Sequence, residues 1–143
     1  ADGKSTHFYG DGTAVPLRQD ITLQSLEAKS IRLLAHAKLQ QCVIVNLSNL
    51  PSSRLLFPRV SISQIFSNEF NKGALENKIK ELDSKKIKIA IQAEKSLSYM
   101  VPSGRYWESV DEFDADMLKQ IDSYWLDSAA QFAKNISNDC SYA

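Results

Sequence analysis

Between residues 109 and 137 the chain contains neither Pro nor Gly. Across that stretch Val110, Phe113, Met117, Ile121, Tyr124, Trp125, Phe132 and Ile136 recur at the spacing of one face of an α-helix. An amphipathic segment of this length must bury its apolar stripe against other elements, so it fixes one wall of any fold the chain adopts. Ser109 and Glu112 stand at capping-box spacing. Asp111, Glu112, Asp114 and Asp116 lie in or near the first turns, where the helix dipole favours acids, and Lys134 lies near the other end. The pattern predicts one long C-terminal helix.

The remainder alternates between helical and strand-like segments. Residues 22–40 read as a helix, with Leu23, Leu26, Leu33, Leu34 and Ala37 on one face. Ser61 and Gln64 form a second capping box, followed at helical spacing by Ile62, Ile65, Phe66 and Phe70. Gly73 reads as a C-cap or a kink. Residues 74–84 resume as helix, with Leu75, Ile79 and Leu82 inward. Residues 4–9 and an edge segment at Val15, Pro16 and Leu17 read as strands flanking a glycine turn. Residues 42–47 form a continuous apolar run of strand length, and 48–58 a loop bounded by Pro51 and Pro58. Ile87, Ile89, Ile91 and Ala93 alternate within residues 86–93, which predicts a strand with one buried face, and residues 97–101 predict another short one. The expected fold is α/β or α+β. It consists of a small mixed β-sheet of about four or five strands with roughly three or four helices, the long C-terminal helix packed on the sheet.

A length of 143 residues predicts a single globular domain over residues 1–143. Hydrophobic residues make up 43% and charged residues 24%, enough apolar material for a core and too much for intrinsic disorder. Lys plus Arg and Asp plus Glu balance at 17 each, so no net field draws the chain to nucleic acid or an anionic membrane. No apolar run approaches the ~20 residues of a transmembrane segment. The partner expected on these grounds is another protein.

There are two cysteines, Cys42 in the apolar run and Cys140 near the C-terminus. A thiol in a terminal tail has little packing purpose unless it is tied to the core, which predicts a Cys42–Cys140 disulfide. The first residue is Ala1, followed by a polar stretch, as in a chain trimmed by a signal peptidase. Together these features predict a periplasmic or secreted protein. Asn46-Leu47-Ser48 and Asn135-Ile136-Ser137 match the glycosylation sequon, a match that a Ser-rich chain meets by chance.

Catalytic signatures are missing from the sequence. His7 and His36 are the two histidines, and neither spacing marks a nucleophile–base pair. The serines form no nucleophile elbow, the glycines no phosphate loop, and the acids no calcium loop. No catalytic residue, metal ligand or cofactor is assigned. Lys78, Lys80, Lys85, Lys86 and Lys88 form a basic run, read as a solvated face guarding a sheet edge and able to steer an acidic partner. Residues 99–107 gather Tyr99, Arg105, Tyr106 and Trp107, types enriched in protein interfaces, and form the leading binding candidate. Arg54, Phe57 and Arg59 lie in a second apolar loop with basic ends, either a docking ridge or a buried connection.

The strand–helix–strand order, with Ala90-Ile91-Gln92-Ala93-Glu94-Lys95 leading to Tyr99, resembles periplasmic domains of envelope energy-transducing proteins. No motif within it carries a property across. The functional expectation is therefore an exported, non-enzymatic protein-binding module, of the toxin-immunity, inhibitor or envelope-accessory kind. A small secreted hydrolase and a small-ligand carrier are the alternatives.

Overall fold

The computed structural model describes residues 25–67, 70–97, 102, 103, 105, 108 and 110–138. Six helices run through them: α1 (Leu26–Leu39), α2 (Ile62–Phe66), α3 (Lys72–Ile79), α4 (Ser84–Leu97), α5 (Ala115–Ser128) and α6 (Ala130–Asn138). A 3₁₀ turn, Val110–Glu112, precedes α5. Among the described residues there is no sheet, and the α/β or α+β expectation is overturned. The segments expected at residues 4–9 and 15–17 lie outside the described residues.

Three internal strands were expected; of 97–101, Leu97 closes α4 and the rest lies outside the described residues, and the other two fail each for its own reason. Residues 86–93 lie within α4, whose start is fixed by Asp83. Its carboxylate accepts the backbone N–H of Lys85 at 2.9 Å and of Lys86 at 3.2 Å. Ile87, Ala90, Ile91, Glu94 and Leu97 then share a helical face, with Ile87 and Ala90 fully buried and Ile89 left in solvent. The alternation of isoleucines disguised a 3.6 period. Residues 42–47 are extended but find no neighbouring strand. One parallel bridge, Asn46 to Arg59, forms there. In it Asn46 N–H donates to the Pro58 carbonyl at 2.8 Å and Val60 N–H to the Asn46 carbonyl at 3.1 Å.

Three of the expected helices form with adjusted ends, and the long C-terminal one does not form as a single helix. Ser25 caps α1, its hydroxyl accepting from Ala28 N–H at 3.0 Å. The Ser61–Gln64 capping box is present in both directions. Gly73 interrupts nothing: Asn71 caps α3, and the glycine sits in its first turn. The single C-terminal helix is three pieces. Asp114 caps α5 by accepting from the N–H groups of Asp116 and Met117. At the far end the Ser128 hydroxyl donates back to the Trp125 carbonyl at 2.6 Å, while the Ser128 carbonyl accepts the Asp83 N–H at 2.9 Å. With that carbonyl diverted to the start of α4, the chain breaks at Ala129 and restarts as α6 without Gly or Pro.

The core is one cluster drawn from α1, α3 to α6 and the loops. Ile31, Leu34 and Ala35 meet Ile79, Leu82, Ile87, Ala90, Ile121, Trp125, Ala129 and Phe132, with Phe57 entering from the loop. A helical chain of this kind buries its stripes on one another and has no need of a sheet.

Candidate functional site

Polar groups near the core serve mainly to fasten elements together. Glu94 on α4 has a side chain only 10% exposed. Its carboxylate accepts the Arg32 Nε–H from α1 at 2.7 and 2.9 Å and the Trp125 indole N–H from α5 at 2.8 Å. On α1, His36 lies 6.1 Å from the Trp125 ring, and its Nε2 is buried without a hydrogen-bond partner. Asp122 on α5 accepts the Ser25 N–H at 2.6 Å, fastening the start of α1. Among the described residues, no group of three His, Cys, Asp or Glu side chains is placed to hold a metal.

The loop between α1 and α2 is more unusual. Asn46 is buried, and its amide donates to the Ser53 hydroxyl at 2.9 Å and accepts from the Ser48 N–H at 2.9 Å. Used in this way, its nitrogen is withdrawn from the sequon. Ser30 on α1 accepts the Leu56 N–H at 3.0 Å, and Phe57 plugs into the core beneath. Arg54 grips Glu27 with two bonds of 2.6 and 2.8 Å. This pairing holds the Glu27 carboxyl below its usual range and the Arg54 guanidinium above its own. Arg59 donates to the carbonyls of Ser48 and Leu50 at 3.2 and 2.9 Å.

The unit spanning residues 46–66 is therefore anchored through its polar and charged groups, and it leaves large apolar groups outside. Phe66 is 86% exposed, Leu50 66% and Ile62 60%, with Leu47 also exposed. Ile62 and Phe66 are one helical turn apart on α2, which buries none of its residues. From Lys38 to Glu69 the only charged residues are Arg54 and Arg59, and both are engaged internally. That gap in charge is the sequence signal that marks this surface. Helical spacing of Ile62 and Phe66 does not by itself say that they stay in solvent.

Of the expected binding residues, Arg54, Phe57 and Arg59 come together in this unit, Phe57 buried, Arg54 tied to Glu27 of α1 and Arg59 tied within the unit. Arg105 is exposed, with Glu108 at 3.5 Å as an ion-pair partner. Tyr99, Tyr106 and Trp107 lie outside the described residues. Cys42 is a free, exposed thiol, which overturns the expected disulfide; Cys140 lies outside the described residues. With the disulfide removed, the expectation of an exported immunity or inhibitor protein loses its structural argument. No described helix is long and apolar enough to cross a membrane. No protein-family model, curated protein or solved structure matches the chain.

Proposed function

We propose that the chain is a non-enzymatic protein-binding module whose contact surface centres on residues 46–66. One observation carries this reading: Phe66, Leu50 and Ile62 stand in solvent on a unit with two charged side chains, Arg54 paired with Glu27 and Arg59 bonded to backbone carbonyls. Interface centres are depleted of free charge and rich in large apolar side chains. Anchoring by Asn46, Arg54 and Arg59 lowers the entropy lost when such a surface is covered. The partner that fits is a protein with an uncharged apolar cleft. An anionic lipid surface fits less well, because the unit holds only two cations and Arg54 is already paired with Glu27.

The test places a photo-cross-linking amino acid at position 66 and, as control, at the exposed Asn77. The protein joined only at position 66 is then purified and titrated with variants. Phe66→Ser is expected to weaken its affinity by about 2 kcal/mol with the unfolding midpoint unchanged. Equal adducts at both positions, or an affinity indifferent to Phe66→Ser, defeat the reading. The loop of Tyr99, Arg105, Tyr106 and Trp107 is a second contact of the same proposal, tested by Arg105→Ala in that titration.

A further inference from the structure

We propose that the solvent face of α4 docks an acidic amphipathic helix of a partner protein. The surface differs from residues 46–66 and shares with that reading only the protein-binding character. Lys85, Ile89, Gln92 and Ser96 follow one another at three- and four-residue spacing along α4, and all are exposed. Lys88 and Lys95 flank this line on one side and Lys86 on the other. The one acid of α4, Glu94, is turned inward to Arg32 and Trp125. The face thus presents Lys85, Lys86 and Lys88, and α4 itself adds no carboxylate to it.

Its placement runs against local stability. Lys85, Lys86 and Lys88 occupy the first turns of the helix, the end at which the macrodipole disfavours cations. Among the described residues none of the three forms an ion pair, and Asp83 Oδ1 accepts the backbone N–H groups of Lys85 and Lys86. Asp83 offsets the charges of Lys85 and Lys86 only in part, and positive charge left over at a disfavoured helix end is charge available to a partner. The lysines call for an anionic partner. Ile89, 53% exposed in their midst, calls for an apolar contact as well. A helix carrying acids on either side of an apolar stripe supplies both. Nucleic acid fits less well, because the face has no Arg to read base edges and no aromatic ring for stacking.

The probe is a labelled helical peptide of Glu and Ala with Leu at every fourth position, titrated with the full chain by fluorescence anisotropy. Saturable binding is expected that weakens steeply with salt. Lys85→Glu combined with Lys88→Glu should weaken it roughly tenfold or more, while the melting temperature holds or rises because acids suit that end of the helix. Ile89→Ser should weaken it several-fold, and Phe66→Ser should leave it unchanged, which separates this surface from the one proposed above. Indifference to the charge reversal overturns the proposal, as does absence of peptide binding. So does tighter binding to duplex DNA or phosphatidylserine vesicles, or a salt-sensitive dimer of the chain alone that the same reversal abolishes.

Discussion

At the scale of single residues, Glu94 is the side chain on which most depends. It accepts from the Trp125 N–H and the Arg32 guanidinium at once, so removing it strands the buried indole donor and takes away the carboxylate beside Arg32. Glu94→Ala is expected to cost about 3 kcal/mol in urea unfolding. Arg32→Ala should cost about 1 kcal/mol, since the arginine is partly solvated and the carboxylate keeps the indole N–H. Equal, small losses would mean that water already fills the site. Cys42 makes a simpler case. An exposed thiol should react with a maleimide in the native protein at the rate of a free cysteine. Protection that lasts until denaturant is added would contradict its placement. Neither role follows from residue type: a glutamate in a lysine-rich segment reads as solvated until the helix turns it inward.

At the scale of elements, caps decide where helices begin and end, and one of them is strained. After α1 the N–H of Cys42 bonds the Ala37 carbonyl and that of Gln41 the Lys38 carbonyl, the Schellman pattern. Gln41 occupies its left-handed position with φ of 57°, where glycine is the usual residue. Gln41→Gly is therefore expected to raise stability by about 0.5–1 kcal/mol, read as an upward shift in melting temperature. Asp83 gives the α4 cap a pH dependence. Its carboxyl is held below the usual range, first by the Lys86 N–H and then, more weakly, by that of Lys85 and by the two lysine charges. A folded pKa below the unfolded one means that the unfolded chain binds the proton first as pH falls. The cap's contribution is therefore complete above about pH 4 and is lost as pH drops through the depressed folded value. Asp83→Asn should flatten that limb of the stability curve, and an unchanged slope would exclude the cap as its source. These caps also explain what the sequence conceals. Ser61 and Gln64 announce α2, and the apolar spacing announces α1, α3 and the buried face of α5 and α6. Residues 86–93 mislead because three isoleucines suit a strand in type and in spacing, and only Asp83 marks the segment as helix. The break at Ala129 is illegible because it depends on a bond to Asp83 from a distant part of the chain.

At the scale of the whole molecule, Trp125 is where the helices meet. Its ring is buried, faces His36 on α1 and donates to Glu94 on α4, while the residue itself belongs to α5. One side chain thus couples three helices that are distant in sequence, in a core with no sheet to hold them in register. Two substitutions separate its contributions. Trp125→Ala removes ring and hydrogen bond together and should cost about 3–5 kcal/mol, enough to unfold a marginally stable domain near physiological temperature. Trp125→Phe keeps an aromatic ring but deletes the indole N–H, leaving Glu94 with Arg32 alone and a smaller void. It should cost about 1–3 kcal/mol. Circular dichroism gives the companion readout. The native protein should show the double minimum of a helical chain, and Trp125→Ala should lose it cooperatively at lower urea concentration. If Trp125→Phe proved as damaging as Trp125→Ala, the Glu94 hydrogen bond would outweigh the packing. If both were mild, or the native spectrum were that of a sheet protein, the three helices would not converge on Trp125.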